Sequence, residues 1–265
     1  MKYKLLALDI DGTLLNSRRQ LTDRTRDAIS RAIDSGVHVT LSTGRPIIGV
    51  RKYVELLGLR APIITYNGAE IVDPVTDERL FAKTLEYDDA LKIMELGQSV
   101  GTSLCIWSCG ALYGLPIDDR VNDYKKISGI EPLPVESIEE LAKRGVTKII
   151  WYDTVERVNE FRKTLDKSLF HSVNFCTSNP AFLEFFCGDV SKRVAMEKLC
   201  ELLGILKDET VAIGDGLNDI PMLEYAGLGI AMGNAADEVK TIAKKVVSDN
   251  DSDGVAEAIE SFILK

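Results

Sequence analysis

The sequence predicts an α/β protein whose core is a doubly wound parallel sheet, and two observations lead to that prediction. Short apolar runs each end at a small or polar residue, and they cover residues 4–8, 37–41, 63–66, 211–213, 228–232 and 246–247. Continuous apolar runs of this length are typical of strands that are buried on both faces, as in a parallel sheet. Helical patterns lie between several of these runs, and strand–helix alternation is typical of doubly wound proteins.

The helical patterns carry their own start and stop signals. Residues 22–35 and 191–203 each begin with a hydroxyl residue, place apolar residues at helical spacing, and are followed by glycine. A hydroxyl side chain at the N-cap accepts a hydrogen bond from a free backbone N–H, and glycine readily adopts the conformation that ends a helix. Pro221 suits the first turn of a further helix over residues 221–225.

The middle of the chain shows a different pattern. The sequence predicts two helices, over residues 88–100 and 155–165, and strands over residues 104–107, 111–113, 148–152, 172–176 and 182–186. A helix–strand–strand unit therefore occurs twice, which is typical of a small α+β domain. We expect a core domain formed by residues 1–82 and 188–265, and an inserted domain over residues 83–187.

Composition and charge exclude several classes of partner. The chain has 32 Lys and Arg against 41 Asp and Glu, so its net charge is -9. This charge argues against nucleic-acid binding, which needs a basic face. No apolar stretch approaches the roughly 20 residues that span a bilayer, and residues 1–8 lead to Asp9 without a signal-peptide pattern. We expect a cytoplasmic location, no nucleic-acid or membrane partner, and no protein partner that the sequence implies.

Cysteine and histidine offer little catalytic chemistry. The five cysteines form no Cys-x-x-Cys pair, and we interpret them as buried, reduced thiols. His38 and His171 lie in apolar, strand-like runs, so we expect packed rather than catalytic imidazoles. Acid–base chemistry is therefore left to the carboxylates.

Polar residues follow the predicted strands at the points where the strands end. Asp9, Thr43, Asn67 and Asp215 each occupy such a position. Ligands of doubly wound sheets bind outside the carboxyl ends of the strands. We therefore expect these four side chains to converge on one crevice.

Asp9 and Asp11 are the strongest chemical signal. In an extended strand, residues i and i+2 project to the same side, and Gly12 then lets the backbone turn away. One carboxylate can attack phosphorus to form an aspartyl phosphate, while the other protonates the leaving oxygen and later deprotonates water. On its own, the pair is also compatible with a turn that carries two solvated aspartates.

Further residues supply groups that could bind a metal ion and the oxygens of a phosphate. Asp215 supplies a further carboxylate, the ligand type that Mg²⁺ prefers, and the cation would neutralise a pocket otherwise too negative for a phosphate. Thr43 and Gly44 offer a hydroxyl and a backbone N–H to phosphate oxygens. Lys192 brings positive charge to the first turn of a predicted helix, a natural anion site. Each residue alone is more often structural, and their joint occurrence in this order supports the prediction.

Four segments together resemble the motifs of the haloacid dehalogenase (HAD) superfamily. They are Asp9-Ile10-Asp11-Gly12-Thr13-Leu14, Ser42-Thr43-Gly44-Arg45, Lys192, and Gly214-Asp215-Gly216-Leu217-Asn218-Asp219. The long insert between the second and third segments resembles that of Cof-type phosphatases with a C2 cap. The resemblance implies a HAD-like, Rossmannoid core with an inserted α+β cap, and a phosphatase that acts on small phosphorylated metabolites.

The resemblance also implies a role for each matching residue. Asp9 would be the nucleophile and Asp11 the general acid and base. Mg²⁺ would be held by Asp9, the backbone carbonyl of Asp11, and Asp215, with Asp219 in support. The residues expected to contact phosphate or substrate are Ile10, Thr43, Gly44, Arg45, Asn67, Lys192 and Asn218.

The sequence leaves two alternative functions open. A phosphomutase on the same scaffold would return the phosphoryl group to the sugar, and release of inorganic phosphate separates the two reactions. A phosphorelay receiver also uses an aspartate, a hydroxyl residue, a lysine and Mg²⁺, but receivers are about half this length. The bulk of the insert predicts a lid that admits small molecules such as sugar phosphates and excludes folded phosphoproteins.

The spacing of an EF-hand calcium loop also occurs, at Asp249, Asp251, Asp253, Gly254 and Glu260. An EF-hand needs an entering helix, whereas residues 245–248 are predicted as a strand. We therefore expect a polar turn that leads into a helix over residues 254–264.

Overall fold

A computed structural model describes residues 2–177 and 179–264. The chain divides into two compact units. We call the segments up to Ala82 and from Ser191 onward the core unit, and Lys83–Val190 the inserted unit. The sequence predicts the second boundary after Cys187, whereas residues 188–190 belong to the inserted unit. Backbone hydrogen bonds from Gly188 to Ser172 and from Val190 to Cys187 keep them beside its sheet.

The first segment of the core unit alternates strands and helices. Its elements are β1 (Leu5–Leu8), α1 (Asp23–Asp34), β2 (His38–Leu41), α2 (Ile47–Leu57), β3 (Ile63–Thr65), β4 (Glu70–Val72) and β5 (Arg79–Ala82). The Thr22 side chain caps α1 as predicted, by accepting a hydrogen bond from the Thr25 N–H. Pro46 precedes α2 and provides no side-chain cap, so this helix lacks the start signal that marks α1.

The inserted unit contains a mainly antiparallel sheet. Its elements are α3 (Tyr87–Ser99), β6 (Ser103–Ser108), β7 (Ala111–Leu115), α4 (Asp119–Ser128), β8 (Leu133–Pro134), α5 (Ile138–Arg144), β9 (Val146–Tyr152), α6 (Val155–Thr164), β10 (Val173–Cys176) and β11 (Phe182–Cys187). Within the described residues the strand order is β10-β11-β9-β6-β7-β8. Only the short β7–β8 pair is parallel among these strand pairs, so the α+β character predicted for this region is observed.

The second segment of the core unit completes its main sheet. Its elements are α7 (Lys192–Leu203), β12 (Thr210–Gly214), α8 (Ile220–Tyr225), β13 (Leu228–Ala231), α9 (Asp237–Ile242), β14 (Lys245–Val246) and α10 (Gly254–Ala258). In the part of the chain that the structure describes, five parallel strands follow the order β14-β13-β12-β1-β2. β3, β4 and β5 form a separate antiparallel sheet, and a bridge between Ser42 and Ile64 joins it to the end of β2.

Helices pack against both faces of the parallel sheet. Leu6 and Leu8 of β1 lie in one buried cluster with Ile29 of α1, while Leu5 lies in a second cluster with Met196 of α7. Alternate residues of a strand point to opposite faces, so β1 contributes to both clusters. Burial on both faces explains the continuous apolar runs, and the doubly wound α/β prediction is confirmed.

Two expectations about side chains need correction. His38 and His171 are both exposed rather than packed. His38 is the first residue of β2, the last strand in the order of the parallel sheet, and His171 lies in the loop before β10. Cys105, Cys187 and Cys200 are buried, as expected, but Cys109 is exposed and Cys176 is only partly buried.

The residues with EF-hand spacing have other partners. Asp251 accepts a hydrogen bond from the Ser17 N–H, Asp253 accepts one from the Thr22 hydroxyl, and Glu260 pairs with Arg24. The strand β14 precedes this segment, so the expected polar turn is observed. The helix that follows is α-helical only as far as Ala258, and residues 259–263 form a π-helical turn.

The helices of residues 2–177 and 179–264 are not suited to a bilayer, since none of them combines the length and the apolar character that a crossing requires.

A turn over Tyr66–Gly68 connects β3 to β4 and touches the start of α7. Gly68 has φ 104°. A Cβ atom at Gly68 would lie 2.2 Å from the Ser191 carbonyl oxygen. Glycine is therefore required here both for the backbone conformation and for the close approach to the residue that caps α7.

We predict that Gly68→Ala lowers the free energy of unfolding by about 3 kcal/mol, because it adds a backbone clash to left-handed strain. Gly36→Ala is the matched control, since Gly36 has φ 91° and nothing within 4 Å of an added Cβ. The control should lose only the strain contribution, about 1 kcal/mol. Urea unfolding of both variants measures the difference. Equal losses would show that the Gly68–Ser191 contact contributes nothing.

Candidate active site

The carboxyl ends of β1, β2 and β12 lie side by side and carry the predicted site residues. Leu8 is in register with Leu41 on one side and with Ile213 on the other. Asp9 directly follows β1, and Asp215 directly follows β12. The parallel sheet therefore places these residues at the edge where ligands of doubly wound proteins bind.

Lys192 reaches this edge from the first position of α7 and is almost completely buried. The Ser191 hydroxyl caps the helix by accepting a hydrogen bond from the Val194 N–H. The Lys192 ammonium donates to Asp9 Oδ1 and to Asp219 Oδ1, both at 2.5 Å. A buried ammonium without partners would be strongly destabilising, so the two carboxylates stabilise this placement.

The carboxylates exceed the positive charge that Lys192 supplies. Burial raises the pKa of Asp9 to about 8, with repulsion from Asp219 and Asp215 acting in the same direction and Lys192 acting against it. Burial on its own would lower the pKa of Lys192, but attraction to Asp219 and Asp9 raises it overall. Lys192 therefore stays protonated, and the cluster of carboxylates holds a surplus of negative charge that a cation would offset.

Asp219 is the most constrained of these acids. It is fully buried, and its Oδ2 accepts hydrogen bonds from the N–H groups of Asp215 at 3.0 Å and Gly216 at 2.9 Å. Its Oδ1 is bound by Lys192. Asp219 therefore fixes both the lysine and the loop that follows β12, and this holding role is more direct than the predicted support of a metal ion.

Asp215 lies against the turn that follows β1. The Thr13 hydroxyl donates to Asp215 Oδ1 at 2.6 Å, and a Cβ atom at Gly12 would lie 2.3 Å from Asp215 Oδ2. Only glycine leaves room for the carboxylate at this point. Burial, followed by repulsion from Asp219, raises the pKa of Asp215 to about 6, although the Thr13 hydrogen bond lowers it.

The donor set suits a hard divalent cation. Asp9, Asp215 and Asp219 each offer a carboxylate oxygen, and these oxygens all lie within 4.8 Å of one another. Oxygen ligands that include one or two carboxylates are what Mg²⁺ prefers. Because Asp219 already binds Lys192 and two backbone N–H groups, Asp9 and Asp215 are the better candidates for direct ligands.

Asp11 has a different environment from Asp9. It lies beyond the end of β1, where the two-residue alternation of the strand no longer applies. Its carboxylate is exposed and forms a bidentate pair with Arg45, in which Arg45 Nε donates to Asp11 Oδ2 at 2.8 Å and Nη2 donates to Oδ1. Arg45, predicted to contact substrate, thus holds the predicted general acid.

Four of the predicted phosphate-binding residues come together beside this pair. Asn67 is buried in a left-handed conformation, and its Oδ1 accepts a hydrogen bond from Asn218 Nδ2 at 3.0 Å. The Asn67 N–H donates to the Thr43 carbonyl, and a Cβ atom at Gly44 would lie 3.1 Å from Asn67 Oδ1. Ile10 lies directly after Asp9 and its side chain is fully buried, so only its backbone remains for the predicted contact with phosphate.

Three residues of this region have no role in the sequence analysis. Thr13 holds Asp215, Asn234 donates to the Gly12 carbonyl, and Ser42 has a buried hydroxyl with no hydrogen-bond partner among the described residues. Asn234 follows a strand end, as the predicted site residues do, so its signal is present in the sequence. The Thr13 contact spans 202 positions and has no local signal.

Comparisons with known proteins agree with this geometry. A family model described as haloacid dehalogenase-like hydrolase matches residues 6–259. The 5-amino-6-(5-phospho-D-ribitylamino)uracil phosphatase YcsE of Bacillus subtilis (strain 168) is 32% identical over 262 residues, which cover 98% of this chain and 96% of YcsE.

Two solved structures are similar to this chain over nearly its whole length. A haloacid dehalogenase-like hydrolase from Bacteroides thetaiotaomicron has a TM-score of 0.87 and 29% identity, with 97% of this chain and 98% of that chain covered. The HAD subclass IIB sugar phosphatase BT4131 has a TM-score of 0.84 and 25% identity, with 98% of both chains covered.

The holding role of Asp219 can be tested against the ligand position of Asp215. Asp219→Asn should lower the free energy of unfolding by about 3–5 kcal/mol, because it removes one partner of a buried charge. Asp215→Asn should not lower it, because the raised pKa of Asp215 means that its ionised form costs free energy in the folded state at pH 7. Urea unfolding at pH 7 in the presence of EDTA compares the two variants. A loss of similar size for both would contradict the division of roles.

Proposed function

The chain belongs to the haloacid dehalogenase-like hydrolase family, and from this premise we propose that it is a magnesium-dependent phosphatase that acts through a phosphorylated Asp9. The observation that supports the proposal most is the buried cluster at the strand ends. Asp9, Asp215 and Lys192 combine a carboxylate nucleophile, an oxygen-rich cation site and a positive charge within hydrogen-bonding or ligand distance.

Asp9 is the proposed nucleophile because its carboxylate is held in place by one oxygen while the other oxygen remains available. Lys192 binds its Oδ1, and the Asp9 N–H donates to the Ile213 carbonyl, so the carboxylate has a defined direction. The hydrogen bonds of the described residues leave Oδ2 available for attack. Lys192 has three N–H donors, of which two bind carboxylates, so the third is suited to a phosphate oxygen.

Asp9 and Asp215 would hold Mg²⁺ together with the backbone carbonyl of Asp11. The bound ion would neutralise the carboxylates and polarise a phosphoryl oxygen. Lys192 and the start of α7 would provide the remaining positive potential that attracts a phosphate dianion.

The proposed reaction has two displacements at phosphorus. In the first, Asp9 Oδ2 forms a bond to phosphorus while the ester P–O bond breaks, and the leaving oxygen takes the electron pair and a proton from Asp11. In the second, Asp11 removes a proton from water, the water oxygen bonds to phosphorus, and the bond to Asp9 breaks. Inorganic phosphate and the Asp9 carboxylate are the products, so the enzyme is regenerated.

Arg45 would control when Asp11 takes part. Both oxygens of the Asp11 carboxylate accept hydrogen bonds from the guanidinium. An oxygen engaged in this way cannot deliver a proton to a leaving group, so productive binding requires the release of at least one of the two contacts. An incoming hydroxylated leaving group would offer Arg45 an alternative acceptor.

The proposed substrates are phosphate monoesters of small polyhydroxylated molecules. The name of YcsE describes a phosphate on a ribityl chain, and BT4131 is described as a sugar phosphatase. Both leaving groups carry several hydroxyls. Arg45, Asp11 and Asn218 supply donors and acceptors that would match such hydroxyls beside the proposed phosphate site.

A phosphomutase on the same scaffold is the alternative that remains. It would transfer the phosphoryl group from Asp9 back to a sugar hydroxyl rather than to water. Stoichiometric release of inorganic phosphate supports the hydrolase, whereas isomerised sugar phosphate without phosphate release would support the mutase.

We predict that Asp9→Asn lowers phosphate release by at least about 10⁴-fold, since an amide is a poor nucleophile. Asp11→Asn should cost on the order of 10²–10⁴-fold, the usual contribution of general acid–base catalysis. Asp34→Asn, an exposed change in the same unit, is the control and should match the wild type. The assay is inorganic phosphate release with Mg²⁺ or EDTA. Full activity in EDTA, or activity of Asp9→Asn within tenfold of wild type, would refute the proposal.

The substrate class is tested with pairs that differ only in hydroxyl groups. Hexose and polyol phosphates should have the highest kcat/KM, above alkyl phosphates of equal chain length, nucleotides and phosphopeptides. The reason is that polar groups left unpaired at the leaving-group position penalise an apolar substrate. A panel in which alkyl phosphates equal the polyol phosphates, or in which phosphopeptides rank first, would contradict the substrate class.

A further inference from the structure

Asn234 joins two loops at the site through both ends of its amide group. It lies three residues beyond the end of β13, and its Nδ2 donates to the Gly12 carbonyl at 2.8 Å. Its Oδ1 accepts a hydrogen bond from the Asn250 N–H at 3.1 Å. Only one orientation of the amide satisfies a carbonyl and an N–H at once, so the two contacts fix the side chain.

The loop that Asn234 holds is the one that shapes the position of Asp215. Gly12 has φ 87°, and its backbone lies so close to Asp215 that a Cβ atom would be 2.3 Å from Oδ2. The next residue, Thr13, donates its hydroxyl to Asp215 Oδ1 at 2.6 Å. A shift of the peptide between Gly12 and Thr13 would therefore change the direction of the Asp215 carboxylate.

The order of the strands places the Asn234–Gly12 hydrogen bond next to the proposed cation site. β13 and β1 flank β12, and the end of β12 carries Asp215. The bond from Asn234 to Gly12 therefore connects the two neighbours of the strand that supplies the carboxylate. A second amide supports the same turn, since Asn250 Nδ2 donates to the Leu15 carbonyl at 2.8 Å.

Close backbone packing keeps Asn234 in place. The Gly233 N–H donates to the Ser248 carbonyl, and a Cβ atom at Gly233 would lie 2.7 Å from the Asp249 nitrogen. The segment before Asn234 thus rests directly on the loop that also supplies Asn250.

We infer that Asn234 is a positioning residue for the divalent-cation site, because its bond to Gly12 sets the turn that orients Asp215 and the Asp11 backbone. Asn234 itself binds neither the cation nor the substrate. The inference rests on the proposed function, since it assumes that Asp9 and Asp215 hold Mg²⁺.

The experiment measures Mn²⁺ affinity of the full chain without substrate, after removal of bound metal with a chelator. Asn234→Ala should raise the Mn²⁺ dissociation constant about tenfold, the lower end of what loss of an outer hydrogen-bond partner of a metal site costs. Asn174→Ala is the matched control, because the Asn174 amide is also exposed and also donates to a backbone carbonyl, that of Gly188 at 2.9 Å. The control lies in the inserted unit and should bind Mn²⁺ like the wild type.

Urea unfolding of the same variants separates positioning from stability. Asn234 is exposed, so the urea midpoint of Asn234→Ala should stay close to that of Asn174→Ala. Only the Mn²⁺ affinity of Asn234→Ala should fall. Unchanged Mn²⁺ affinity in Asn234→Ala would overturn the inference and leave the proposed function intact. A loss of affinity that merely follows a large fall in the urea midpoint would also overturn it. Failure of the wild type to bind Mn²⁺ would overturn both the inference and the proposed cation site.

Discussion

The interaction on which the site depends is the buried contact of the Lys192 ammonium with Asp9 and Asp219. It connects the first turn of α7, the end of β1 and the loop after β12. Lys192 lies at the start of α7, so its charge adds to the positive end of the helix. Removal of Lys192 would leave two buried carboxylates without a counter-charge, which is why the three elements have to meet at this point.

The acids around Lys192 divide into those that hold the structure and those that are available for chemistry. Both carboxylate oxygens of Asp219 accept hydrogen bonds, one from Lys192 and the other from the backbone of the loop after β12. Asp9 and Asp215, in contrast, have oxygens that can bind a cation. The surplus negative charge makes the folded site receptive to a divalent cation and unreceptive to a bare phosphate. In the proposed mechanism, cation binding and phosphate binding would be coupled, because each would make the pocket more favourable for the other.

The sequence predicts the parallel core well because its strands are buried on both faces and its main helices have capping residues. It does not predict α2, whose N-cap is Pro46, or α4, which buries little more than Val121 and Tyr124. The sequence identifies the residues at the strand ends but does not predict which side chains they contact. The contact of Arg45 with Asp11, and that of Thr13 with Asp215, depend on loop geometry that no local pattern encodes. The exposed histidines illustrate the same limit, since apolar neighbours do not determine which side chains are covered.

In the proposed mechanism, Asp9 itself carries the phosphoryl group. The most direct measurement is to mix the enzyme with Mg²⁺ and a sugar phosphate, quench with acid within one turnover, and map the peptides by mass spectrometry. We expect a phosphorylated peptide in which Asp9 is the modified residue, and we expect this peptide to be absent in Asp9→Asn. Phosphate release without any phosphorylated Asp9 peptide, at quench times that span the turnover, would rule out the covalent mechanism.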